Sequence, residues 1–185
     1  MLFGRDAGHR VYAAIYKRLR RLPKEGVLLV DFSRVRQASN QALKEALSVV
    51  DVLRTAKFAE RFLLFRVDTR NRDLVESIEM VARLGGDIVP VIDRSGTRHN
   101  FGKLTRAESD TLKAVERFKE LTSRELRERL GLLPSAASNR LRRLHHLRLI
   151  RRDERAVPGS GGREFVYQPI VTSRTEARKG VKQKG

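Results

Sequence analysis

The segment that most restricts the fold lies between residues 121 and 149, where a short helix pattern precedes a longer basic one. Thr122 is placed to cap the first of these helices, and Glu125 is placed to bond back to the cap. Gly131 ends this helix after about two turns, because glycine readily adopts the left-handed conformation of a C-cap. A connection of about three residues, ending at Pro134, then leads to the longer helix. A short capped helix, a tight turn and a longer helix predict a helix-turn-helix.

The longer helix, SAASNRLRRLHHLRL, separates an apolar face from a polar one. At about 100° per residue, Ala137, Leu141 and Leu144 share one side and are predicted to be buried. The opposite side carries a hydroxyl, an amide, two guanidiniums and an imidazole, on Ser135, Asn139, Arg142, Arg143 and His146. Arginine can bond to guanine and asparagine to adenine, so this face is predicted to contact base edges of DNA. Arg140 and Arg148 flank it and are expected to contact phosphates.

Two strands joined by the loop VPGSGG are predicted after this helix. Leu149–Ile150 begins the first strand, and Phe165 and Tyr167 alternate with polar neighbours in the second. The loop is too long and too rich in glycine for a two-residue turn, which predicts a protruding wing. Arg155 and Arg163 flank its tip, and such arginines are expected to contact the DNA backbone or an adjacent minor groove.

The stretch LTSRELRERLGLLPSAASNRLRRLHHLRLIRR…GGREFVYQP resembles the winged helix-turn-helix of MarR-like and ArsR-like bacterial regulators. The segment SAASNRLRRL, the Leu-Ile strand after it and the Gly-Arg turn before Phe165 carry the resemblance. It implies a DNA-binding transcription factor, with groove-facing positions at Ser135, Ser138, Asn139, Arg142 and Arg143. Arg148 stands where many of these regulators have glycine, so the bend into the wing is expected to differ.

The charge of the chain favours a polyanionic partner. Lysine and arginine number 40 against 22 acidic residues, a formal net charge of +18, and residues 134–185 alone hold 13 basic and 4 acidic side chains. Nucleic acid is the commonest partner of so basic a protein, and membrane binding is disfavoured because no helix combines a basic face with an aromatic one. The absence of cysteine excludes disulfides and cysteine-bound metals. The N-terminus lacks a secretory h-region, so we expect a cytoplasmic, nucleoid-associated protein.

The N-terminal half alternates helical and strand periods, which predicts an α/β domain with a mostly parallel sheet. Helices are predicted at 8–22, 40–56 and from Leu74 to Gly85-Gly86, and strands at 27–30, 62–67 and 88–92. Pro90 cannot donate a hydrogen bond to a neighbouring strand, so the third of these strands is expected at a sheet edge.

VLLVDFSRV and the helix beginning SNQALKEAL resemble the core of STAS-like domains over about residues 5–93. The resemblance implies a regulatory or protein-interaction domain, and some such domains carry a phosphorylatable serine where this helix begins. Ser39 is the candidate here, with Asn40 and Gln41 as alternatives for the same position. By itself Ser39 is predicted to be a plain helix N-cap.

No catalytic constellation is found, and we expect neither an enzyme nor a cofactor. Neither glycine-containing loop matches a P-loop or a dinucleotide fingerprint. His145 and His146 point about 100° apart on a helix and cannot chelate a metal together. Asp31 ends a strand, where ligands of open α/β sheets bind. With Asp68 and Asp93 near other strand ends, a pocket for a cation or ligand remains open.

The sequence therefore predicts a two-domain α/β protein: a STAS-like regulatory or dimerisation domain at 1–104, a winged helix-turn-helix at 105–171 and a basic disordered tail at 172–185. Its expected function is sequence-specific binding of double-stranded DNA as a homodimer, with a protein or small-ligand partner at the N-terminal domain. The alternatives are a nonspecific nucleoid or RNA-binding protein and a protein-interaction module. The basic run KRLRR at 17–21 is interpreted as the solvated face of a helix rather than a second DNA patch.

Overall fold

The computed structural model describes residues 1–157 and 162–170. The chain divides into two compact units, Met1–Lys103 and Leu104–Gly185. Most of the predicted wing tip and the predicted disordered tail lie outside the described residues. Within the described part of the chain, no helix combines the length and the apolar content that a membrane crossing requires.

The N-terminal unit is a four-stranded sheet with its helices packed on it. Its helices are α1 (Gly4–Arg21), α2 (Asn40–Leu47), α3 (Val49–Leu53) and α4 (Arg72–Gly85), with a 3₁₀ turn at Ala56–Phe58. Its strands are β1 (Val27–Asp31), β2 (Phe62–Arg66), β3 (Ile88–Ile92) and β4 (Arg98–Gly102), in the order β1-β2-β3-β4. The first three strands are parallel and β4 is antiparallel to β3, so the mostly parallel sheet is confirmed.

The prediction that Pro90 places its strand at a sheet edge is wrong. Strand β3 lies between β2 and β4. Its pairing with β2 involves only Val91 and Ile92, so Pro90 falls outside that ladder and its missing N–H costs no bond there. The edge is instead β4, RHNFG, which has no apolar run that could have revealed it.

The helix predicted at 40–56 is interrupted at Ser48, which separates α2 from α3. The Ser48 hydroxyl donates to the Glu45 carbonyl at 2.7 Å. Such local side-chain bonds compete with the backbone hydrogen bonds of a helix. At the start of α2, Ser39 accepts a hydrogen bond from the Ala42 amide at 3.2 Å. The prediction that Ser39 is an N-cap is therefore confirmed.

One core joins α1, α2, α3 and α4 to alternate residues of the sheet, among them Leu63, Phe65, Val89 and Val91. The two-residue spacing puts these side chains on one face of the strands. Helix α1 lies close to α2 at Gly8, where a Cβ atom would collide with the Ala42 carbonyl. A larger residue there would push the two helices apart.

The C-terminal unit contains α5 (Arg106–Phe118), β5 (Leu121–Thr122), α6 (Ser123–Leu130), α7 (Pro134–His146), β6 (Ile150–Ala156) and β7 (Arg163–Pro169). Its antiparallel sheet has the order β5-β7-β6. Capping boxes open α5 and α6, at Thr105 and Thr122 respectively, and Gly131 ends α6 in the left-handed conformation. These features confirm the two-domain α/β fold with a winged helix at its C-terminus.

Candidate nucleic-acid interface

Helix α7 presents a polar face to solvent because its other side anchors the unit. Ala137, Leu141 and Leu144 are fully buried, as predicted from their spacing. The predicted DNA-contacting residues on the opposite side are exposed, namely Ser135, Asn139, Arg142, Arg143 and His146. Ser138 and Arg140 are half-buried. The helix therefore offers a continuous row of hydrogen-bonding groups, and their contact with DNA stays a prediction.

Arg143 is tied to the beginning of α5. Its Nε atom lies 3.4 Å from Oε1 of Glu108, whose Oε2 accepts hydrogen bonds from the amide and hydroxyl of Thr105 at 2.8 and 2.9 Å. Burial raises the pKa of Glu108, but the hydrogen bonds from Thr105 and Arg143 outweigh it and hold the pKa below its ordinary value. A carboxylate thus orients one of the two exposed arginines of α7. The capping box is visible in the sequence, but its contact 35 residues away is not.

Arg142, the neighbouring arginine, forms no ion pair within residues 1–157 and 162–170. Its side chain is exposed, and its charge acts on Tyr167 of β7. Burial raises the pKa of Tyr167, while Arg142 and Arg152 oppose that shift. Arg142 is therefore an exposed cation available to an external anion.

The two arginines that flank the wing are exposed but held by carboxylates. Arg155 lies 2.9 Å from Glu120, which also accepts a bond from Gln168 at 2.8 Å. Arg163 lies 3.1 Å from Glu154 on the adjacent strand. The bond from Arg155 lowers the pKa of Glu120 below its ordinary value, so this carboxylate stays charged near neutral pH. These pairs fix the direction of both guanidiniums, whose contact with DNA remains untested.

Arg152 is a further cation of the wing that the sequence did not single out. Its guanidinium stacks 4.3 Å from the ring centroid of Phe165, which is 44% exposed. The stack explains how a large aromatic side chain is tolerated on the outer face of β7. The pairing of β6 with β7, in which Arg152 lies opposite Tyr167 and Glu154 opposite Phe165, brings Arg152 and Phe165 together. This contact cannot be predicted from a local sequence pattern.

The predicted phosphate contact of Arg148 is wrong. This side chain is only 7% exposed, and its Nη1 donates to the His145 carbonyl at 3.4 Å. The backbone of Arg148 has φ of 57°, the left-handed region in which glycine is favoured. The residue therefore turns the chain from α7 into β6.

The acidic pocket that the sequence left open at the strand ends does not form. Asp31 accepts a hydrogen bond from the Ser33 amide, and Asp68 pairs with Arg94 at 3.0 Å. Burial raises the pKa of Asp93, but hydrogen bonds from Ser95, Thr97 and His99 lower it to about 2 and hold the side chain among these residues. Across the described ranges, no three acidic or histidine side chains are grouped to hold a metal ion.

Asp31 itself is an exposed strand-end carboxylate with two cations nearby. Its Oδ2 lies 3.8 Å from Arg66. Burial raises its pKa, but the hydrogen bonds from Ser33 and the charges of Arg66 and Arg34 give a net lowering. A regulatory role for Asp31 or Ser39 stays a prediction.

Comparison with known proteins finds a family match within the C-terminal unit. Residues 103–160 match the model of the MarR family, whose members are DNA-binding transcriptional regulators rather than enzymes. A solved structure described as a possible transcriptional regulator from Methanosarcina mazei Go1 is similar, with a TM-score of 0.34 and 21% identity. The alignment covers 43% of this chain and 66%, just under two thirds, of that one. The curated proteins contain no match.

The family match does not extend to residues 1–102. The resemblance of the N-terminal unit to STAS-like domains therefore stays a prediction.

Proposed function

We propose that this chain is a sequence-specific DNA-binding transcription regulator, with α7 in the major groove and the β6–β7 wing along the DNA backbone. The observation that carries the proposal is the exposed polar face of α7, opposite a fully buried stripe, within a segment that matches the MarR family. Helices of this motif place their polar face against base edges.

The residues divide by the contacts that their positions favour. Asn139, Arg142 and Arg143 are proposed to contact bases, since amide and guanidinium groups match the base edges of the major groove. Arg140 is proposed to contact phosphate. The remaining groove-facing and wing positions are Ser135, Ser138, His146, Arg155 and Arg163. Phosphate contacts would supply most of the affinity through release of counterions.

We also propose that the protein binds DNA as a homodimer and that its N-terminal unit supports dimerisation or regulation. A single winged helix buries little surface on DNA, whereas two half-sites about one helical turn apart combine their specificities. Sedimentation of the full chain with and without its DNA measures the stoichiometry directly. A monomer in both conditions would contradict the dimer without contradicting DNA binding.

The function is tested by selection of bound duplexes from a random library, followed by anisotropy titrations at about 150 mM salt with excess random competitor DNA. A regulator of this kind enriches one motif over successive rounds. Arg142→Ala should weaken binding to that motif by about 1–3 kcal/mol. Arg18→Ala, which removes an exposed cation from α1, is the matched control and should change binding less than two-fold.

The high charge of residues 134–185 favours a second candidate, a nonspecific nucleic-acid-binding protein. That protein would bind the library without enriching a motif, and random competitor would remove all binding. Failure to bind either a DNA duplex or an RNA of matched length would leave protein recognition as the role of the winged helix and would overturn both candidates.

A further inference from the structure

A cleft of about 610 Å³ lies at the carboxyl edge of the parallel strands in the N-terminal unit. Three separate loops form its walls: residues 33–36 after β1, residues 68–71 after β2 and Arg94 after β3. Ligands of open α/β sheets bind at this edge, because the loops there converge while the strands hold them in place. The volume is within the range of small-molecule sites, about 300–1,000 Å³.

The charge of this cleft is the opposite of the acidic character that the sequence left open for the strand ends. Four arginines line it, Arg34, Arg36, Arg70 and Arg94, against the single carboxylate of Asp68. That carboxylate is already engaged by Arg94 at 3.0 Å. The other three arginines are exposed and form no ion pair with any described residue. The residues that line the cleft therefore carry a net positive charge.

Asn71 holds two of the walls together. Its Nδ2 donates to the carbonyls of Val35 and Arg36 at 3.2 and 2.8 Å, so the loop after β1 is bound to the loop after β2. Its Oδ1 accepts from the Leu74 amide at 3.3 Å and caps α4. The Asp68–Arg94 pair ties the third loop to the second. Because these bonds already hold the loops in place, little conformational entropy is lost when a ligand binds in the cleft.

We propose that this cleft binds the phosphate group or diphosphate group of a small phosphorylated ligand. Guanidinium groups match phosphate oxygens in geometry and stay charged at all physiological pH values. The concave shape favours a small ligand, since a DNA duplex presents its phosphates on a convex surface. The site belongs to residues 1–103 and does not depend on DNA binding by the other unit.

Calorimetric titration of the full chain with inorganic pyrophosphate, at ionic strength held constant with KCl, tests the proposal. Arg36→Ala and Arg70→Ala should each weaken pyrophosphate binding at least ten-fold, because each removes a charge-assisted contact. Both side chains are exposed, so neither change removes core packing. Arg18→Ala on α1 and Arg142→Ala on α7 are matched controls and should leave the affinity within two-fold of the original.

Three results would overturn the proposal. The first is no saturable binding up to about 10 mM pyrophosphate. The second is an equal loss in the Arg142→Ala control, which would place the anion on α7. The third is a loss of duplex DNA affinity in Arg36→Ala and Arg70→Ala that matches or exceeds their loss of pyrophosphate affinity, which would assign these arginines to the DNA backbone.

Discussion

Replacement of Glu108 by Gln isolates the effect of one carboxylate on the proposed DNA-binding helix. Glu108 is 15% exposed and lies 3.4 Å from Arg143, which is 56% exposed. Glutamine can keep the capping box with Thr105, because an amide also serves at this position. The substitution therefore removes a negative charge while the beginning of α5 stays capped.

We expect Glu108→Gln to tighten duplex DNA binding by about two- to five-fold. An ion pair with one partly exposed member contributes roughly 0.4–1 kcal/mol. Arg143 must give up part of that energy when it turns from Glu108 to DNA. Loss of the carboxylate also removes repulsion of nearby phosphates, so the dependence of affinity on salt should become steeper.

Anisotropy at about 150 mM salt measures this effect in Glu108→Gln, Arg143→Ala and the double variant. Most of the gain should vanish when Arg143 is absent, since the pair no longer exists to be broken and only the smaller relief of phosphate repulsion is left. Glu79→Gln is the matched control, because Glu79 pairs with Arg83 on α4 of the other unit. Weaker binding by Glu108→Gln at unchanged stability would refute the reasoning and show that Glu108 positions Arg143 for DNA. An undiminished gain without Arg143 would also contradict the reasoning, because it would show that the effect comes from net charge alone.

Three further predictions concern stability and are measured by urea denaturation of the full chain. Thr122→Ala removes the hydroxyl that caps α6 and should lower the free energy of unfolding by about 1 kcal/mol; an unchanged midpoint would show that water replaces the cap. Gly131→Ala should also cost about 1 kcal/mol, mainly conformational, because φ is 61° and an added Cβ would meet no atom within 4 Å beyond its neighbours in the chain. Burial and the charge of Asp51 raise the pKa of Asp87 from 3.8 to about 6, despite its ion pair with Arg54. Between these values the native state binds more protons than the unfolded chain, so the free energy of unfolding should fall as pH rises from about 4 to about 6. Asp87→Asn should flatten that fall, and a slope that persists would assign it to another group.

Much of the C-terminal unit follows from short-range sequence signals. The cap at Thr122, the stop at Gly131 and the buried stripe of α7 each depend on residues within one or two helical turns. The same is true of Ser39, whose hydroxyl caps the helix that it precedes. Such features are predictable because the groups that satisfy each other are neighbours in the chain.

The predictions that were wrong are those in which the usual position of a residue type was overridden by tertiary packing. Pro90 disfavours a central strand, yet β3 is central because its ladder with β2 begins after the proline. Arg148 has the charge of a surface residue, yet the turn from α7 into β6 buries it in a left-handed conformation. In both cases the sequence showed the constraint but not the contact that accommodated it.

The sequence by itself determined the helix-turn-helix, the strand-helix alternation and the basic character of the chain, since periodicity, caps and charge are properties of short segments. Tertiary structure alone decided that Glu108 holds Arg143 and that β4 completes the sheet. It also brought Arg36, Arg70 and Arg94 to one cleft while the aspartates nearby were drawn into turns and ion pairs. The physical reason is that these contacts join residues far apart in the chain, whose meeting depends on how the whole unit packs.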